Sequence, residues 1–148
     1  MPLEDKIIED LKRAMKRRDE LRISCLRMLK TSLKNRQVEI GRGLKDEDVQ
    51  AIISSLVKKG KDAAEEFQKG GRDDLALKEE KEVEIYYEYL PRQLSPEEIE
   101  KTLREIISEL SAAGPKDLGK VMKAAMARMA GQAQGKEVNE IARKLLTD

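Results

Sequence analysis

Apolar residues recur every three or four positions along almost the whole chain, and nowhere do they alternate with polar ones over the length of a strand. That spacing gathers them on one side of a helix, so the fold class is all-α. Leu3, Ile7, Ile8, Leu11 and Met15 mark a first helix. Leu21, Cys25, Met28, Leu29, Ser32 and Leu33 mark a second, stopping near Gly41 and Gly43. Asp46 is placed to cap a third that carries Val49, Ile52, Ile53, Leu56, Val57, Ala63, Ala64 and Phe67 and closes at Gly70 and Gly71. A fourth runs from about Asp73 to Leu90, with Leu75, Val83, Tyr86, Tyr87 and Leu90 as its apolar side.

The stretch YLPRQLSPEEIE divides the chain. Pro91 disfavours helix at Leu90, and Ser95-Pro96-Glu97-Glu98 is a start signal: Ser as N-cap, Pro in the first position, Glu98 where a capping box needs it. Ile99, Leu103, Ile106, Ile107 and Leu110 continue that helix to Gly114. Pro115 opens another, with Leu118, Val121, Met122, Ala125, Met126 and Met129 as its buried stripe. After Gly131–Gly135 a last helix buries Val138, Ile141, Ala142, Leu145 and Leu146. The pattern predicts a helical N-terminal domain over 1–92 and a small three-helix C-terminal domain over 95–148.

Composition narrows the chemistry. The chain has no histidine and one cysteine, which removes the commonest general base, the Ser-His and Cys-His nucleophile pairs and the usual zinc ligands. No catalytic residue, metal site or cofactor is expected. No stretch reaches the ~20 apolar residues of a membrane span. The acidic, amphipathic start is unlike a signal peptide, and with a lone thiol it points to a cytoplasmic location. The sequence offers no clear dimer seam, so a monomer is expected.

Charge is nearly balanced at +1 but unevenly placed. Residues 1–45 hold 13 Lys and Arg against 7 Asp and Glu, and 115–148 hold 7 against 4. The middle is acidic, with 8 against 13 over 46–94 and 2 against 5 over 95–114. Either these charges pair across a helical bundle, or the two ends present electropositive surfaces.

GQAQGKEVNEIARKLL, Gly131–Leu146, tests a phosphate-loop reading and fails it. Ala130 fills the first glycine position, Glu137 stands where Ser or Thr is required, and the preceding segment is helical rather than a strand. Gly131 reads instead as a helix stop and Gly135 as the turn into the next helix. Between Asp117 and Glu137 there is no acid, while Lys120, Lys123, Arg128 and Lys136 are present. Lys116, Lys120 and Lys123 follow i, i+4, i+7 spacing, and Lys136, Asn139 and Arg143 lie opposite the buried side of the last helix. Such a corner suits a nucleic-acid backbone, though a solvated face has the same pattern. In Lys12–Arg22, part of the charge pairs along the helix, and Arg18, Arg22 and Arg27 suggest a second patch. The tyrosines of YYEYL suit packing at the domain junction better than stacking on bases, and Cys25 falls on an apolar side, as an inert thiol would.

Four blocks carry a family resemblance: LRMLKTSLKNRQVE, EYLPRQLSPEEIE, GPKDLGKVMKAAM and GQAQGKEVNEIARKLL. In this order they resemble the YqeY family, which is similar to the C-terminal tail of GatB, the B subunit of the glutamine-dependent aspartyl/glutamyl-tRNA amidotransferase. The resemblance implies two all-α parts and a tail that contacts transfer RNA while catalysis occurs elsewhere. It carries over Lys116, Lys120, Lys136 and Asn139; Lys123, Arg128, Arg143 and Lys144 join them on charge and helical face. Nothing corresponds to the large body of the B subunit or to an amidase, so carbon–nitrogen ligase activity would belong to the relative. The expectation is a non-catalytic accessory module that binds transfer RNA. The alternative is a protein-interaction module docking on an amidotransferase or another translation protein.

Overall fold

The computed structural model describes residues 1–147. Two units follow one another along the chain, Met1–Leu90 and Pro91–Asp148, each with its own apolar interior. The first holds α1 (Leu3–Arg17), α2 (Glu20–Ile40), α3 (Asp46–Lys69) and α4 (Asp73–Tyr87). The second holds α5 (Pro96–Leu110), a 3₁₀ turn (Pro115–Asp117), α6 (Leu118–Arg128) and α7 (Gly135–Thr147). No described residue lies in a strand. Among the described residues no helix is long and apolar enough to cross a membrane.

In the first unit, the apolar sides of α1–α3 meet around Ile7, Leu26, Leu29, Leu33, Val49, Ile53 and Val57. α3 and α4 make the most extensive pairing in the molecule. Gly60 allows it: a Cβ there would stand 2.6 Å from Val83 Cγ2.

Several local expectations are corrected. Asp46 is the first residue of α3, not its cap; its carboxylate accepts the Leu3 N–H at 3.0 Å, serving the start of α1. Asp48 secures α3 instead, accepting from the Lys45 N–H and from Arg42. α4 ends at Tyr87, and a turn over 88–90 precedes Pro91. Met28 and Leu110, read as apolar-side residues, are exposed.

The tyrosines pack within the first unit. Tyr86 and Tyr89 are buried; Tyr86 donates to the Cys25 carbonyl at 3.4 Å and Tyr89 to Asp10 at 2.6 Å. Tyr87 is half-buried beneath Lys61 Nζ, 5.2 Å from its ring centre. All four aromatic residues of the chain lie in this unit.

The second unit has an aliphatic and methionine core: Ile99, Leu103, Ile106, Val121, Ala125, Met129, Val138 and Ala142. Its entry is the capping box read from the sequence. Glu98 N–H donates to Ser95 Oγ at 3.2 Å, and Ser95 N–H returns to the Glu98 carboxylate at 3.1 Å. Arg92 adds a two-pronged grip on Glu98 at 3.1 and 2.8 Å. The Arg92 guanidinium, with the Ser95 N–H behind it, pulls the Glu98 carboxyl from an ordinary 4.5 down to about 2. A depressed folded-state value means stability present above pH 4.5 and lost as pH falls toward 2. Glu98→Gln keeps the box but not the charge. Denaturant midpoints should therefore fall more steeply for the unaltered protein than for Glu98→Gln between pH 4.5 and 2, and equal slopes would remove Glu98 from acid unfolding.

Candidate nucleic-acid interface

The Gly131–Gly135 corner is a strapped turn. Gly131 has φ +74°, in the left-handed region that suits glycine, whereas Gly135 is the first residue of α7 and shows no such angle. The corner's carbonyls are engaged by the segment after Pro91: Gln93 Nε2 donates to Gly131 O and Leu94 N–H to Gln132 O, each at 2.8 Å. Ala133 is buried beneath. The segment leading in is helix α6, so the strand–loop–helix cradle of a phosphate loop is not built here.

Lys120 and Lys123 stand exposed on the side of α6 away from Val121, Ala125 and Met129. Ala127 is exposed on that side, whereas Ala124 is half-buried and packs against the core. Lys116 is exposed too, but it lies in the 3₁₀ turn, whose tighter winding takes it out of the α register. Beside it, Asp117 turns its carboxylate to the Ala113 N–H at 2.8 Å. On α7, Lys136, Arg143 and Lys144 are exposed and Asn139 is half-buried. Among the described residues none of these cations has a carboxylate oxygen within 4.0 Å.

Arg128 departs from the expected set. It grips Glu109 of α5 through two hydrogen bonds, 2.7 and 3.3 Å, which raise the arginine's pKa and lower the carboxyl's. Its charge is neutralised in tying α6 to α5. Glu140 is the residue that counting cations overlooked. At i+4 from Lys136 and i−3 from Arg143, it stands exposed on the same side of α7 and dilutes that ridge. Of these two helices, α6 therefore presents the less diluted positive face, with α7 contributing Lys136 at its start.

The suggested N-terminal patch does not form as read. Arg22 is held by Glu88 at the end of α4 and by Asp19, while Arg18 occupies the left-handed turn between α1 and α2. Arg22, Glu88 and Tyr89 instead wall a cleft of about 440 Å³ with Lys6, Asp10, Arg13 and Arg17 of α1. This mixed-charge cleft carried no sequence signal, because its walls come from positions up to 83 residues apart. Cys25 is buried, and desolvation pushes its thiol up to about 12, far from the thiolate that nucleophilic chemistry requires. Among the described residues no three Cys, Asp or Glu side chains stand together in metal-binding geometry.

Curated relatives share 34% identity with this chain in Lachancea thermotolerans, 35% in Clavispora lusitaniae and 30% in Saccharomyces cerevisiae YJM789, over 72%, 70% and 68% of its length. Each is named altered inheritance of mitochondria protein 41, mitochondrial. The matches cover 59%, 61% and 56% of those proteins, so the chain spans about three fifths of their length. Their naming as mitochondrial proteins overturns the cytoplasmic expectation. A lone thiol suits any reducing compartment, so composition could not separate the two. The family model for YqeY, described as Yqey-like protein, matches residues 4–146. With that match running from the first turn of α1 to the end of α7, the chain belongs to the YqeY family.

Proposed function

We propose that this YqeY-family chain is a non-catalytic accessory module that contacts the backbone of transfer RNA through α6 and the start of α7. The observation that carries the proposal is the acid-free run from Leu118 to Lys136, which presents Lys120, Lys123 and Lys136 to solvent with no carboxylate oxygen within 4.0 Å among the described residues. Lys116, Arg143 and Lys144 widen the positive surface at its edges. Asn139 offers an uncharged donor between Lys136 and Arg143. Helix-borne ammonium groups meet phosphates without reading bases, so selectivity would rest on the shape of the folded RNA. The similarity of the family to the GatB tail supplies the RNA class, and the catalytic body of the amidotransferase has no counterpart in these residues. Arg128 is left out of the RNA-facing set because Glu109 already occupies it.

Binding of labelled transfer RNA should weaken steeply with salt. Lys120→Ala with Lys136→Ala should reduce the slope of log K against log salt by about 1.5, at roughly 0.7–0.9 for each phosphate no longer neutralised. Affinity indifferent to salt, or an unchanged slope in the double variant, would refute the proposal.

A further inference from the structure

α2 carries a second acid-free run, nearly as long as that of the C-terminal corner. From Arg22 to Val38 there are five cations and no carboxylate. Two of the five are already matched: Arg22 by Glu88 and Asp19, and Arg36 by Glu39 at 3.0 Å. The other three, Arg27, Lys30 and Lys34, are exposed, and none has a carboxylate within 4.0 Å among the described residues. Their i, i+3, i+7 spacing places them on one side of α2, away from Cys25, Leu29 and Leu33. Ser24 and Thr31 are exposed on the same stripe, one helical turn from Arg27 on either side.

Like charges at these spacings destabilise a helix, and elsewhere on α2 the chain provides carboxylates to relieve them. Between Ser24 and Lys34 it provides none, the nearest on that side being Glu20 at the start of the helix. From Ser24 to Lys34 the stripe consists of cations and hydroxyl donors, the groups that meet phosphate oxygens. An acidic protein partner would call for an apolar anchor at the centre of the interface. Between Arg27 and Lys34 the stripe has none at its centre: exposed Met28 sits at its margin, about 100° round from Arg27, and exposed Val38 follows one turn beyond Lys34.

We infer that Arg27, Lys30 and Lys34 form a phosphodiester-binding track on α2, a site for RNA in the first unit that is independent of the α6–α7 surface. At about 1.5 Å of rise per residue, the three charges span roughly 10 Å, so one strand can meet all of them.

The test uses the full chain and a fluorescein-labelled 20-nucleotide oligouridylate, with anisotropy read from 25 to 200 mM salt. Arg27→Gln/Lys30→Gln/Lys34→Gln should weaken binding at least tenfold at low salt and lower the salt slope by about 2, at roughly 0.7 per neutralised phosphate on single strands. The matched control, Lys58→Gln/Lys78→Gln/Lys101→Gln, removes three other exposed cations and should leave the slope nearly unchanged. An unaltered slope in the α2 variant, or an equal drop in the control, overturns the track. So does loss of binding to phosphatidylserine vesicles with RNA binding intact, which would assign the stripe to a lipid surface. The α6–α7 proposal is judged separately by Lys120→Ala/Lys136→Ala, so either site can fail while the other stands.

Discussion

Gly60→Leu is expected to lower the stability of the four-helix unit by about 2–3 kcal/mol, in the range of overpacked cores. Glycine within a helix ordinarily costs up to about 1 kcal/mol relative to alanine, so its place in the middle of α3 calls for a reason. The reason is the close approach of α4: a Cβ at Gly60 would sit 2.6 Å from Cγ2 of Val83, itself 6% exposed. Valine is stiff at χ1 and cannot swing aside inside the packed pair. A leucine side chain forces the two helices apart along their most extensive pairing. Tyrosine fluorescence reads the result directly, because Tyr86, Tyr87 and Tyr89 all lie in this unit. Val83→Ala added to Gly60→Leu should recover part of the lost stability by opening the space. A Gly60→Leu protein with an unaltered urea midpoint would show that the helices are not so closely seated.

Leu103→Ala should act on the other unit. The side chain is fully buried among Ile99, Ile106 and Val121, where truncation typically removes 2–5 kcal/mol. For a unit of under 60 residues that approaches the whole of its stability, about 0.05–0.15 kcal/mol per residue. Circular dichroism should then lose the share of helix carried by α5, α6 and α7 at low denaturant, while the tyrosine transition stays near its original midpoint. Coincident loss of both signals would instead mean that the two units unfold as one.

How much of this was legible in the sequence differs from element to element. The capping box at Ser95–Glu98 was fully written there, because every partner lies within three residues. The helical spacing of the apolar residues likewise gave the all-α class. Pairings across helices were not legible. Nothing near Arg128 announces Glu109, and nothing near Asp46 announces the Leu3 N–H, 43 positions earlier. The Gly60–Val83 approach belongs to the same class, since a glycine in a helix does not say which neighbour it admits. Glu140 was legible and still missed: helical spacing alone puts it between Lys136 and Arg143, but a tally of positive residues hides it. The α2 stripe emerged only once Arg22 and Arg36 were seen to be matched, which set Arg27, Lys30 and Lys34 apart.

The confinement of every aromatic ring to Met1–Leu90 has a spectroscopic consequence. No residue from Pro91 onward supplies a magnetic ring current, so the methyl protons of Ile99, Leu103, Ile106 and Val121 receive no aromatic shielding from within their own unit. Their resonances should crowd near random-coil positions even when the core is fully packed, and a poorly dispersed methyl spectrum there would not signify disorder.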